Sequence, residues 1–119
     1  MKNLLLVIGL MLMTCQPLYA DGREYNTGND LVRCWKEYKR DEAGQPCNVL
    51  DVVYFVGYVS GVADASYGRF ILYPKSTTHG MLCSVAGKWI DNHPELWAEA
   101  PRIIVVTALT EAFPLQKRK

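Results

Sequence analysis

The stretch Gly57-Tyr58-Val59-Ser60-Gly61 comes within one position of a nucleophile elbow. That motif needs Ser second after the first Gly, on a sharp strand-to-helix turn. Here Ser60 stands third, inside a run of helical character, so it reads as a small packing residue. Thiol chemistry would need a cysteine whose thiolate is held by a nearby imidazole. Cys34, Cys47, Cys83, His79 and His93 are scattered, and only His79 and Cys83 fall at helical spacing. A structural zinc site needs about four ligands at short regular spacings, and the sequence has no C-x-x-C and no H-x-x-x-H. Asp51 and Asp64 lie thirteen positions apart on one expected helix, roughly 20 Å at about 1.5 Å per residue, too far to share a proton. Asp51 suits the positive end of that helix; Asp64, near the other end, does not. His93 precedes Pro94 at a helix start, where capping explains it. Trp35 and Trp89 fall on core stripes, and Trp97 is expected to be partly exposed. No catalytic residue, metal or cofactor is expected, and the pattern favours binding over catalysis.

The elements that would position a binding surface can be read in order. Residues 1–20, with Lys2, an apolar run from Leu4 to Met13 and the ending Leu18-Tyr19-Ala20, read as an export signal. Thr14 before Cys15 departs from a lipidation signal, so cleavage after Ala20 is the expectation. The apolar run is shorter than the roughly 20 residues a membrane span needs. Loss of Lys2 leaves twelve basic and twelve acidic residues, a balance that offers no nucleic-acid footprint. Lys117-Arg118-Lys119 reads as a frayed tail. Residues 21–119 suffice for one small domain.

Periodicity predicts a helix near 29–40 capped by Asn29, with Leu31, Val32, Trp35 and Tyr38 inward. A second runs from Val49 to about Tyr67 and is apolar nearly all round, which fits burial. A third spans about 78–92, with Met81, Leu82, Val85, Ala86, Trp89 and Ile90 as its stripe. His93-Pro94-Glu95 opens a short turn. Pro101 opens the last helix, whose stripe is Ile104, Val105, Ala108, Leu109, Ala112 and Phe113, and Pro114 stops it. The fold class is therefore all-α, a small compact bundle of four to five helices. An exported chain with three cysteines is expected to hold one disulfide and one odd thiol, the pairing being open among Cys34, Cys47 and Cys83.

Gly57, Gly61 and Ala65 recur every four residues on the second helix. Each interior Gly costs about 0.5–1 kcal/mol against Ala. The expected compensation is close approach of another helix along this strip, the last one with Ala108 and Ala112. A dimer seam is the alternative. On this reading Gly57→Leu would damage the fold.

Taken together, FVGYVSGVADA and YPKSTTHGMLCSVAGKWIDNHPELWAEAPRIIVVTALTEAFP resemble the type VI secretion amidase immunity proteins, the Tai or resistance-associated (Rap) family. The matching residues are Gly57, Tyr58, Gly61, Val62 and Asp64, then Pro74, Thr78, Gly80, His93, Pro94 and Glu95, and finally Ala108, Leu109, Ala112, Phe113 and Pro114. The likeness runs from about Asn29 to Pro114. The family pattern often carries Cys just before Gly-Tyr, after the loop aromatic and after Phe-Pro, and this sequence does not. The pair Cys34–Cys47, across a short turn, is favoured instead, with Cys83 left free or used between chains.

The resemblance implies a periplasmic, dimeric helical protein that binds an NlpC/P60-like peptidoglycan amidase and blocks its groove. The expected contact surface is the segment joining helices two and three, with Tyr67, Arg69, Phe70, Tyr73, Lys75 and His79, rich in aromatics and Arg of the hot-spot type. In the opposing reading, Phe70 and Ile71 merely cover helix ends. Alternatives from other classes are a small periplasmic chaperone or stress protein and a thiol enzyme built on Cys83 and His79.

Overall fold

The computed structural model describes residues 25–116, so the expected signal at 1–20, Cys15 and the basic tail Lys117–Lys119 lie outside the described residues. Among the described residues the fold is all-α. Helix α1 spans Gly28–Glu42, α2 Val49–Ser66, α3 His79–Asn92 and α4 Pro101–Ala112, with a single 3-10 turn at Pro94–Leu96.

The first helix starts earlier than its periodicity predicts. Its cap is Thr27, not Asn29: the Thr27 hydroxyl accepts from the Asp30 amide at 3.3 Å, and Asp30 accepts from the Thr27 amide at 2.9 Å. This reciprocal pair satisfies two amides that a helix start leaves open. Burial opposes ionisation of Asp30, but hydrogen bonds from Thr27 and Arg33 outweigh it and hold the carboxyl below its usual value. Asn48 caps α2 and Thr78 caps α3 through the same kind of side-chain acceptor.

Leu31, Val32, Trp35 and Tyr38 of α1 meet Phe55, Val59 and Ala63 of α2. Leu82, Ala86, Trp89 and Ile90 of α3 and Ile104, Val105, Ala108 and Leu109 of α4 complete the core. Met81, expected on the α3 stripe, is instead 53% exposed. Trp35 stacks toward Tyr38 and tilts onto Phe55. Its ring lies directly over Gly87 of α3, where a Cβ would collide with the indole. Gly28 is equally confined: its amide donates to the Glu99 carbonyl at 3.0 Å, and a Cβ would strike the Trp97 and Glu99 carbonyls. These are the glycines that permit close approach.

Gly57, Gly61 and Ala65 do not form a packing groove within the fold. All three are exposed, and a Cβ on either glycine would meet nothing within 4 Å. Helix α2 turns Asp51, Phe55, Val59, Ala63 and Ser66 inward instead. The reason is area: stabilisation follows the apolar surface removed from water, and a strip of glycines has little side-chain surface to remove. Gly57→Leu therefore has room for its side chain, contrary to expectation. By length and mean hydropathy (1.3) α2 could cross a membrane. Its inner face, however, is core, packed by α1, α3 and α4.

The expected Cys34–Cys47 disulfide is not formed; Cys34, Cys47 and Cys83 are free thiols. Cys34 is fully buried beside Asp51, whereas the Cys47 sulfur sits 3.7 Å from Asp41 Oδ1 on the outside of the α1–α2 turn. Cys83 is also fully buried, which removes it from any link between chains.

Candidate functional site

The chain leaves α2 in a tight, self-bonded turn. The Ser66 carbonyl accepts the amides of Arg69 (3.0 Å) and Phe70 (2.9 Å), while the Gly68 amide donates to the Ile71 carbonyl at 2.8 Å. Gly68 takes φ +73°, a left-handed geometry that glycine adopts without a Cβ penalty. Ile71 then plunges into the core, fully buried, and bridges backbone to Tyr67 on one side and Pro114 on the other. The Leu72 amide donates to the Phe113 carbonyl at 3.1 Å, which ties the loop to the end of α4. Pro74 to Thr77 closes a second turn at 2.9 Å, and Thr78 starts α3.

This anchoring splits the loop's apolar residues by role. Ile71 covers the helix ends, as the more modest reading holds. Phe70 does not: it is 58% exposed, with Tyr67 at 43% and Leu72 at 47% beside it. A loop pinned at one buried residue and exposed on both sides of it is a presented surface, held by backbone bonds.

Of the six residues singled out from sequence, three converge. Tyr67, Tyr73 and Lys75 line an open hollow of about 390 Å³ together with Asp64. The Tyr67 and Tyr73 rings meet edge to face with centroids 4.9 Å apart, and Tyr73 makes a second such contact with Phe113 at 5.8 Å. Burial, then the negative charge of Asp64, raises the Tyr73 phenol above its usual value. A second hollow, of about 540 Å³, lies on the other side of Tyr67 and Tyr73 between Leu72, Phe113 and Pro114. Arg69 and Phe70 occupy the exposed turn, and His79 lies exposed at the first position of α3, lining neither hollow.

Sequence reasoning missed the far side of this surface. As to role, Asp64 read as a misplaced helix-end acid, Phe113 as the end of the last helix's buried stripe and Pro114 as its stop. The loop-to-α4 pairing that joins them spans more than forty positions and leaves no local signal.

The opposite end of α2 is built differently. Asp51 is fully buried, accepting from the Tyr25 hydroxyl at 3.0 Å and from Arg33 Nε at 3.3 Å, while the Arg33 guanidinium lies over the Tyr25 ring at 5.5 Å. Arg33 also pairs with Asp30 at 2.8 Å. This cluster clamps the segment before α1 to α2 and is structural. Burial, then the Asp51 charge, pushes the neighbouring Cys34 thiol up to about 12, and burial followed by Glu42 pushes Cys83 up to about 11. Neither thiol supplies a thiolate at neutral pH.

His93 does not cap the short 3-10 turn with its side chain. Its Nδ1 lies 2.8 Å from the Trp89 carbonyl and its ring stacks on Trp89 at 4.0 Å, closing the end of α3. Trp97 is half-buried, its indole donating to the Ile90 carbonyl at 2.8 Å. Among the described residues, no group of three or more His, Cys, Asp or Glu comes together as a metal-binding set. A search among curated proteins finds no match to the chain. A comparison with protein families matches residues 27–115, from the cap of α1 to the strand-like end beyond α4, to the Rap1a immunity proteins, and the chain belongs to that family.

Proposed function

We propose that the chain is a periplasmic immunity protein of type VI secretion that binds a peptidoglycan amidase of the NlpC/P60-like cysteine-peptidase kind. It occludes the amidase's active-site groove with the segment between α2 and α3. Family membership implies a non-enzymatic role and a toxin effector as partner. The amidase class rests on the sequence resemblance, and the periplasmic site on the expected export signal. The observation that carries the mode of binding is the alternation at the loop: Ile71 is fully buried while Phe70 and Leu72 on either side are about half exposed. Such a pinned loop loses little conformational freedom on docking, which is where rigid inhibitors gain affinity. The thiol-enzyme reading is disfavoured by Cys83, which is sealed in the core with a raised pKa.

The test is the affinity of the purified protein for peptidoglycan amidases of the NlpC/P60-like kind, beginning with any that an adjacent gene encodes. Arg69→Ala, Phe70→Ala, Tyr73→Ala and Lys75→Ala variants are compared with wild type. Loss of about tenfold or more, roughly 1.4 kcal/mol, is expected for at least Phe70→Ala and Arg69→Ala. Wild-type affinity in all four would remove the loop from the interface.

The reading includes a homodimer, seated on the outer face of α2. Val49 and Val53 are 66% and 63% exposed at one end, and Gly61 and Ala65 are exposed at the other. Two copies crossing antiparallel about Gly57 would set each valine against a small residue of the other copy, the self-complementarity a two-fold interface requires. Light scattering of the wild type should give a dimer and of Gly57→Leu a monomer. A monomeric wild type overturns the dimer, and a dimeric Gly57→Leu moves the seam elsewhere.

A further inference from the structure

The two ends of α2 carry the same pair of groups with one difference. At the N-terminal end, a Tyr hydroxyl (Tyr25) binds an Asp carboxylate (Asp51), and an Arg guanidinium both pairs with that carboxylate and lies over the Tyr ring. At the C-terminal end the Asp64 carboxylate lines one hollow with the edge-to-face rings of Tyr67 and Tyr73. No Arg, Lys or His among the described residues pairs with Asp64.

Three features make this incomplete trio attractive to a cation. Asp64 sits in the last turns of α2, where the helix carbonyls add negative potential, and that end of the helix carries no basic residue. The rings of Tyr67 and Tyr73, with centroids 4.9 Å apart, line the hollow, and aromatic rings attract cations. The Asp64 carboxylate is exposed and, as an acceptor with several lone pairs, has room for further donors. Lys75 lines the wall without making an ion pair with Asp64. A flat guanidinium, which stacks and donates in a fork, suits the space between carboxylate and rings better than a compact ammonium.

We infer that the hollow formed by Asp64, Tyr67, Tyr73 and Lys75 receives an arginine side chain of the bound partner, reproducing in trans the Asp51–Tyr25–Arg33 arrangement. The inference deepens the proposed function and rests on its claim that this loop faces the partner. Lys75 is a competitor at the rim.

N-acetyl-arginine amide and its neutral isostere N-acetyl-citrulline amide are the probes, titrated into the whole protein while the Tyr67 and Tyr73 ring resonances are followed by NMR. A saturable shift is expected for the arginine probe, with binding about fivefold tighter than for citrulline. Asp64→Asn should abolish that preference, and Lys75→Ala should tighten arginine binding about twofold by removing a like charge. Asp64 is exposed, so its substitution leaves the fold intact. Failure of the arginine probe to saturate, equal binding of both probes, or an unchanged preference in Asp64→Asn overturns the inference. The two readings fail separately. An amidase that binds wild type and Asp64→Asn equally overturns the arginine site alone. An amidase that ignores wild type overturns the proposed function and leaves the probe titration to decide the hollow.

Discussion

The seam where α1 meets the other helices and the open side of α2 use the same residue types to opposite ends. In the seam, Gly28 and Gly87 are pressed against carbonyls and an indole; on the open side, Gly57 and Gly61 touch nothing. Asp51 in the seam is sealed under Arg33 and Tyr25, while Asp64 stands exposed beside Tyr73. The seam converts its small and charged residues into rigidity. The open side keeps them available, and the cost in helix propensity has no return within the single chain. A surface that weakens its own helix without packing against its own fold is one that selection for a partner explains.

The sharpest way to break this contrast is to remove the buried carboxylate. Asp51→Ala removes the buried carboxylate that the Tyr25 hydroxyl and Arg33 share; because Arg33 is 37% exposed and keeps Asp30, the loss belongs at the low end of buried-pair effects, about 3 kcal/mol. Urea unfolding measures it, and a loss under about 1 kcal/mol would show that the cluster is ornamental. Next in size is Gly87→Ala, which drives a methyl into the Trp35 ring and should cost about 1–3 kcal/mol despite better helix propensity. A stabilised Gly87→Ala protein would erase the distinction between the two glycine pairs.

The buried thiols give a pH signature. Cys34 and Cys83 have folded-state values raised to about 12 and about 11 from an ordinary 9.0. A raised value favours the protonated folded form, so this contribution is complete below pH 9 and is lost as pH rises from there through the folded values. Stability should therefore decline above pH 9, and Cys83→Ala should flatten part of that decline; an identical slope in the variant would contradict it. Smallest is the open side itself. Gly57→Ala and Gly61→Ala should each raise the stability of the isolated chain by about 0.5–1 kcal/mol, read from thermal unfolding of the monomer. A destabilised Gly57→Ala monomer would mean that the open side is not open.

Much of the fold is legible locally. Turn residues and helical spacing locate four helices and the short turn at Pro94, because caps, prolines and periodicity act within a few residues. Even the displaced start of α1 has a local signal in Thr27-x-x-Asp30, which the polar run before it obscured. The loop was legible as a surface from its composition. Its geometry was not, since the anchors at Phe113 and Pro114 come from the far end of the chain.

What the sequence by itself determined is the placement of the helices, the core stripe of α1, that of α4 through Leu109 (Ala112, expected on it, is exposed), and the family. Which way α2 turns was misread, with the glycine strip expected inward, because a helix apolar on every side carries no internal preference for a face. Tertiary packing decided it through area: Phe55 and Val59 inward bury more apolar surface than the glycine strip could. That one rotation set Asp51 into the seam, left Asp64 at the mouth of a hollow, and turned Gly57 and Gly61 from an expected groove into an exposed face.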